Sequence, residues 1–119
     1  MTNNKISSRV VLLISLYFLP EPGGGATAAL NRAKLLKGIG YNVFVVCGFP
    51  TYPKGKLIDQ KYKGKFFYVE KIGDFTIIRL KLIALSHEGY LKRLIIFLNF
   101  FFVCILTLPR IVRITEKLI

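Results

Sequence analysis

The sequence is poor in the residues that most metal and catalytic sites need. Among its 119 residues there is no tryptophan, one histidine, His87, and two cysteines. Cys47 and Cys104 lie far apart in apolar segments, without a CxxC motif or a neighbouring histidine, which is not the spacing of a zinc site. We therefore predict no metal site and no bound cofactor. The cysteines are expected to be buried free thiols in a reducing compartment.

Acidic residues are also scarce. The chain has 6 of them against 18 lysines and arginines, a formal net charge of +12, and 53% of its residues are hydrophobic. Nucleic-acid-binding proteins are basic but seldom so apolar, and no nucleic-acid-binding motif is present. The composition favours an anionic membrane surface or a phosphate-bearing ligand and predicts no nucleic-acid partner. The length allows one domain with a modest core.

The order of apolar segments indicates an α/β protein. Residues 1–8 are polar and predict a disordered N-terminus, with a single domain over 9–119. The run "RVVLLISLYFL" resembles a strand buried on both faces of a parallel sheet. The segment "ATAALNRAKLLKGIG" predicts an amphipathic helix that stops near Gly38 and Gly40, and "YNVFVVCGF" predicts the next strand. Together they form a βαβ unit.

The second half of the chain alternates loops with apolar segments. "PTYPKGKLIDQKYKGK" predicts a long surface loop, and "KFFYVEKIGDFTIIRLKL" predicts a β-hairpin inserted into the sheet.

Residues 94–108 predict a hydrophobic helix that Pro109 prevents from continuing. Fifteen helical residues rise about 22 Å, less than the roughly 30 Å of a bilayer core, so we expect no membrane span. Two alternatives remain: burial, or contact with an anionic membrane surface. The membrane-contact candidates are Lys92, Arg93, Phe97 and Phe101.

The stretch "YFLPEPGGGATAAL" places three glycines before the first helix. Gly23, Gly25 and Ala28 fit a dinucleotide GxGxxA pattern, but "PEP" lengthens the turn and no acidic residue ends the second strand. A signal peptide is a second alternative, with Lys5 and Arg9 before an apolar run and an A-x-A triplet at 26–28. The prolines and glycines between the apolar run and the triplet count against it.

The third interpretation is a strand–loop–helix turn whose backbone amides bind a phosphate at the helix N-terminus. A plain structural turn is equally compatible with these residues. The candidate donor-phosphate residues are Gly23, Gly24, Gly25, Ala26 and Thr27.

Two motifs in this region resemble the amino-terminal part of family 4 glycosyltransferases of GT-B fold, related to colanic acid, O-antigen and capsule assembly enzymes. The family has a Tyr-Phe-x-Pro-Glu-x-Gly-Gly loop and, after the next strand, a Gly-x-Pro-x-Tyr-Pro-x-Gly segment. The later "KYKGK", "SHEG" and apolar helix follow in the family's order, so the resemblance covers residues 9–108. The matching residues here are Tyr17, Phe18, Pro20, Glu21, Gly23 to Gly25, Gly48, Pro50, Tyr52, Pro53 and Gly55.

The resemblance implies a partial Rossmann-like domain, the N-terminal, acceptor-side half of a GT-B fold. It implies transfer of a sugar from a nucleotide-sugar substrate to a cell-surface polysaccharide or lipid-linked saccharide, with the protein peripheral at the cytoplasmic face of the cell membrane. By analogy Gly24 and Gly25 border the donor phosphates, and the acceptor-binding candidates are Pro50, Tyr52, Lys54 and His87. A solvated loop histidine is the structural alternative for His87.

The sequence departs from the family at "LPRIVRITEKLI", where a strand beginning Pro-Asp is expected, and it lacks the donor-binding lobe. We therefore expect a fragment that is inactive alone, with a separately encoded C-terminal lobe as a candidate partner. The alternative is a small basic membrane-associated interaction module without catalysis.

Overall fold

The computed structural model of the chain describes residues 9–21, 23–51, 56–83 and 85–118. The predicted disordered N-terminus, residues 1–8, lies outside the described residues. The chain forms β1 (Val10–Ile14), α1 (Gly24–Ile39), β2 (Asn42–Gly48), a 3-10 helix (Gln60–Tyr62), β3 (Phe67–Ile72), β4 (Phe75–Leu80) and α2 (Tyr90–Leu118). This confirms an α/β protein with a βαβ unit, a hairpin and a long apolar helix. The Rossmann-like topology stays a prediction.

The described strands form one mixed sheet in the order β1-β2-β4-β3. β1 and β2 are parallel, with Val10 opposite Asn42, and β2 and β4 are parallel, with Phe44 opposite Thr76. β3 and β4 form the predicted antiparallel hairpin, which turns at Gly73, where φ is 60°. The carboxyl ends of β1, β2 and β4 therefore meet at one edge of the sheet.

The two helices cover opposite faces of the sheet and produce two core clusters. On one face α1 contributes the buried Ala29 and Ala33, and on the other α2 contributes the buried Ile96 and Phe100. Small alanine side chains let α1 lie close to the strands. Cys47 and Cys104 are both buried free thiols, as predicted, and they belong to opposite clusters. Burial raises the pKa of Cys47 to about 12 and that of Cys104 to about 11.

The helix α1 ends where Gly38 and Gly40 predict that it stops. Gly40 takes the left-handed conformation with φ of 116°, and its N–H donates to the carbonyl of Lys37 at 3.0 Å. The N–H of Tyr41 donates to the carbonyl of Leu36 at 3.2 Å. These bonds satisfy carbonyls that the last helical turn leaves unpaired, and glycine adopts the required φ without a steric penalty.

The prediction that β1 is buried on both faces is wrong in extent. Val10 and Leu12 pack against one core cluster and Leu13 against the other, but the strand is only half-buried. β1 has β2 on one side and no second neighbour among the described strands, and its residues are half-buried up to Ile14, which is 54% exposed. An apolar run predicts a hydrophobic environment, but it does not reveal whether a strand lies inside the sheet or at its edge.

The prediction that Pro109 ends the apolar helix is also wrong. α2 runs through Pro109 to Leu118, a total of 29 residues, or about 43 Å at the usual rise. The buried stripe of α2 continues past the proline to Ile111 and Thr115, and Ile111 belongs to the same core cluster as Phe100. Packing of these later turns against the sheet offsets the hydrogen bond that Pro109 cannot donate.

Candidate functional site

The candidate site lies at the carboxyl ends of β1, β2 and β4. Ligands of open α/β sheets bind in the crevice outside this edge, because the loops that follow parallel strands converge there. The segment after β1 carries Tyr17 to Glu21 and leads into the glycines, and the segment after β2 carries Pro50 and Thr51. The segment after β4 leads to His87. These are three segments that the sequence motifs single out, and the fold brings them together.

The glycine turn forms an open helix start. Gly23 has φ of 107°, and α1 begins at Gly24. Among the described residues, no side chain caps this end and no acidic residue lies in its first turn. Gly23, Gly24 and Gly25 are exposed, and the first N–H groups of a helix lack intrahelical acceptors. This end of α1 is therefore suited to an anion.

The other two predicted phosphate-binding residues are placed differently. The methyl group of Ala26 is buried under α1. The hydroxyl of Thr27 donates to the carbonyl of Gly23 at 3.2 Å, so it closes the first turn. A phosphate at this helix start would be bound mainly by backbone N–H groups.

Glu21 joins the loop after β1 to the loop after β2. Its Oε1 accepts a hydrogen bond from the N–H of Phe18 at 3.3 Å, and its Oε2 accepts one from the N–H of Thr51 at 3.1 Å. The carboxylate is buried, and both its oxygens are bonded to backbone donors. This is a structural role, since neither oxygen is placed as a nucleophile.

His87 is held between hydroxyl groups of both loops. Its Nδ1 lies 2.9 Å from the Tyr17 hydroxyl and its Nε2 lies 3.1 Å from Thr51 Oγ1. The side chain is 1% exposed, so the alternative of a solvated histidine is wrong. Burial, and then the positive charge of Arg93, lower the pKa of His87. The imidazole is neutral at pH 7, donating from one ring nitrogen and accepting at the other.

The remaining acceptor-binding candidates divide into two groups. Pro50 is buried beside Thr51. Tyr52 and Lys54 lie outside the described residues. Sequence reasoning missed Thr51, although its position directly after the carboxyl end of β2 is a signal that could have identified it.

Sequence reasoning also missed Arg79, which is 0% exposed near the carboxyl end of β4. Its Nε donates to Glu70 Oε2 at 2.6 Å, and one terminal nitrogen donates to the carbonyl of Gly48 at 3.1 Å. The other terminal nitrogen donates to the carbonyl of Leu19. Arg79 therefore joins the loop after β1 to the end of β2, and both lead into the candidate site. The clue to Arg79 in the sequence is a charged residue within the apolar strand "TIIRL". Burying a charge costs free energy unless the charge is paired, so such a residue is expected to have a partner.

Glu70 is the centre of the same network. Burial alone would raise its pKa, but hydrogen bonds from Lys61, Tyr62 and Arg79 outweigh that effect and lower it. The Tyr62 hydroxyl donates to Glu70 Oε2 at 2.6 Å, and burial followed by this carboxylate raises the pKa of Tyr62 to about 12. Tyr62 anchors the 3-10 helix against the sheet beside the candidate site.

The predicted membrane-contact residues lie near the start of α2. Lys92 and Arg93 are exposed, and Arg93 Nε also donates to the carbonyl of His87 at 2.8 Å. Phe97 and Phe101 are 56% and 53% exposed. They border an apolar groove of about 320 Å³ between α2 and the end of β1. In the described ranges one helix, α2, is long and apolar enough to cross a membrane by length and composition, and 22% of its most apolar window is buried. The length, composition and burial of α2 are thus compatible with membrane association and also with a core helix.

Metal-binding side chains do not gather in the described part of the chain, where no group of three or more His, Cys, Asp or Glu residues could hold an ion. Comparisons with known proteins find no match: no protein-family model, no curated protein and no solved structure is significantly similar to this chain.

Proposed function

We propose that the chain is the acceptor-side lobe of a membrane-associated glycosyltransferase. In this proposal it assists transfer of a sugar from a nucleotide-sugar to a cell-surface polysaccharide or lipid-linked acceptor at the cytoplasmic face of the membrane. A separate donor-binding lobe completes the active site, and the chain is inactive without it.

One observation carries the proposal. The described parts of the three motif segments that resemble glycosyltransferases meet at the carboxyl edge of the sheet; they are residues 17–21 and 23–25, 48–51, and 86–89. Glu21 bonds to the backbone of Thr51, and His87 bonds to both Tyr17 and Thr51. Loops that follow parallel strands converge at this edge in any open α/β sheet, and ligands of such sheets bind there. The polar network that joins the three loops here supports a binding role for the edge.

The chemistry of the edge fits a binding lobe. The open start of α1 is suited to a donor phosphate, and stabilisation of a leaving diphosphate needs positive groups and helix N-termini. Both oxygens of Glu21 are engaged by backbone donors, and His87 is neutral and enclosed. These groups position ligands, while most of the donor is assigned to the second lobe.

The test combines genetics and enzymology. The DNA downstream of the gene is searched for a reading frame encoding a Rossmann-like lobe with a Glu-x7-Glu motif, and the two proteins are co-produced. They are incubated with labelled nucleotide-sugars and extracted lipid-linked saccharides. We expect transfer by the pair and none by either protein alone. Turnover by the chain alone would contradict the lobe assignment, and no transfer by any combination would contradict the transferase.

A second candidate function is a membrane-binding module without catalysis. The exposed apolar side of α2 favours it, since Phe97, Phe101 and their neighbours have no covering element among the described residues. Membrane binding without any sugar transfer by the pair would favour this candidate.

A further inference from the structure

A second pocket opens at the same edge of the sheet, and the proposed function above does not use it. It has a volume of about 240 Å³ and lies between the loop after β2 and the segment after β4. Three exposed lysines line it, and its apolar lining comes from buried side chains of the core. The lysines are Lys63, Lys65 and Lys81, and the buried residues are Phe49, Tyr62 and Leu82.

The backbone at the three lysines is fixed. The N–H of Lys63 donates to the carbonyl of Gln60 at 3.0 Å, and the N–H of Lys65 donates to that of Tyr62 at 3.2 Å. Lys81 is joined to the adjacent strand segment by a bond from its N–H to the carbonyl of Phe66 at 3.0 Å. Tyr62 is itself anchored through Glu70. The backbone N–H of each of the three lysines is therefore hydrogen-bonded.

The charge of this pocket is uncompensated by its own lining. No carboxylate is among the described residues that line it. Glu70 lies beneath Tyr62, but its oxygens are engaged by Lys61, Tyr62 and Arg79. Three lysines among its lining residues give the pocket a positive charge that attracts a multiply charged anion, and a phosphate or diphosphate offers several strong acceptor oxygens. The Lys65 ammonium lies 5.9 Å from the centre of the Tyr68 ring, just outside the lining.

The pocket continues into an apolar groove. The groove has a volume of about 430 Å³, shares Lys81 and Leu82 with the lysine pocket and extends along α2. Its lining includes Phe66, Ile83 and Val103, and Arg110 lies at its side. Phe66 is exposed, and the Lys81 ammonium lies 4.8 Å from the centre of its ring. A basic pocket that opens onto an apolar groove matches a molecule with a phosphate at one end and a hydrocarbon at the other.

We propose that the pocket of Lys63, Lys65 and Lys81 binds the phosphate or diphosphate of an amphipathic, lipid-linked acceptor, whose hydrocarbon lies along the groove of Phe66, Ile83 and Val103. The natural ligand named here rests on the proposed function. The site is distinct from the start of α1, to which the donor phosphate is assigned. The donor and acceptor phosphates therefore have separate binding sites.

The test measures binding of dodecyl phosphate, below its micelle concentration, and of inorganic pyrophosphate to the full chain by titration calorimetry. Three variants are compared with the wild type: K63Q/K65Q/K81Q, the groove variant F66S, and the matched control R32Q/K34Q/K37Q. The control removes the same charge from the exposed side of α1. Circular dichroism and thermal midpoints verify that every variant is folded.

We expect the pocket variant to weaken both probes by roughly tenfold or more, since it removes three charge-assisted contacts. F66S should weaken dodecyl phosphate alone, and the control should change either affinity less than about threefold. Equal losses in the pocket variant and the control would overturn the site, as would no binding by the wild type. Equal wild-type affinities with no effect of F66S would assign the pocket to free phosphate and overturn the lipid part. If dodecyl phosphate binds here but the pair transfers no sugar, the pocket stands and the transferase fails.

Discussion

Arg79 and Glu70 lie on neighbouring antiparallel strands, and Arg79 Nε donates to Glu70 Oε2 at 2.6 Å. The same guanidinium donates to the carbonyls of Leu19 and Gly48, which follow or end β1 and β2. A single buried cation therefore joins the hairpin to the two parallel strands that carry the candidate site. Removing it would leave a carboxylate and two carbonyls short of a donor.

We expect Arg79→Met to lower the free energy of unfolding by about 3 kcal/mol, because the carbonyls of Leu19 and Gly48 lose their buried donor and Glu70 loses one of its partners. Glu70 keeps its bonds from Lys61 and Tyr62. Urea denaturation at neutral pH measures the change. Lys71→Met is the control, since Lys71 is an exposed residue of β3. Equal small effects of the two substitutions would contradict the role given to Arg79.

His87 should make stability depend on pH. Its pKa is lowered below the ordinary value of 6.5 by burial and then by Arg93. As the pH falls below about 6.5, the unfolded chain takes up a proton at this residue before the folded chain does, so the folded state loses stability until the folded pKa is reached. Above that range His87 does not contribute to the pH dependence of stability, since its imidazole is neutral in both the folded and the unfolded state.

Urea denaturation at several pH values tests this prediction with wild type and His87→Gln. We expect wild type to lose more stability than the variant between pH of about 7.5 and 5.5. Parallel pH profiles of the two proteins would show that His87 does not titrate differently in the folded state.

Local signals allowed much of the fold to be predicted from the sequence. Short continuous apolar runs predict the strands, "IGD" specifies a turn at Gly73, and Gly40 supplies the left-handed end of α1. These features depend on residues that are close in the chain. The motif residues Glu21 and Pro50 were singled out by the resemblance to a family, and Thr51, beside Pro50, was not.

The features that could not be predicted from the sequence depend on residues that are far apart in the chain. Arg79 is buried because Glu70, Gly48 and Leu19 supply its acceptors, and no local pattern reveals that pairing. Pro109 lowers helix propensity locally, but packing of Ile111 against the sheet outweighs it. The network of His87 could not be predicted because a loop histidine shows its partners only after the three loops have met.

Gly25 should tolerate alanine less well than Gly38, although both lie in α1. A Cβ on Gly25 would lie 2.9 Å from Cδ2 of Tyr17, whereas one on Gly38 would meet no atom within 4 Å. Gly38→Ala should therefore stabilise the protein by about 0.5–1 kcal/mol through helix propensity. In Gly25→Ala the overpacking cost of about 1–3 kcal/mol should exceed that gain and displace Tyr17 from His87.

Thermal unfolding measures both changes, and the NMR signals of the His87 ring report on its bond to Tyr17. A shift of those signals in Gly25→Ala, but not in Gly38→Ala, is the expected result. Equal stabilisation by the two alanines would mean that the Tyr17 ring moves aside freely.

The exposed side of α2 should bind anionic membranes. Phe97 and Phe101 are about half exposed, so burying the rest of each in the interface is favourable by about 0.8–1.5 kcal/mol. Lys92, in the first turn of the same helix, adds attraction to anionic head groups. We expect F97S/F101S to lower the fraction that floats with anionic vesicles, with an affinity loss of tenfold or more, corresponding to about 1.4 kcal/mol. The matched control is L35S/I39S, which removes two exposed apolar side chains of similar exposure from α1.

Flotation with anionic and neutral vesicles at low and high salt measures the binding, and alkaline carbonate extraction of cell membranes separates two modes. A peripheral protein is released by carbonate, and we expect release because the buried stripe of Ile96, Phe100 and Ile111 ties α2 to the sheet. Retention after carbonate would instead indicate that α2 leaves the sheet and spans the bilayer, which its length of about 43 Å permits. Equal flotation of F97S/F101S and L35S/I39S would show that this side of α2 is not the contact surface.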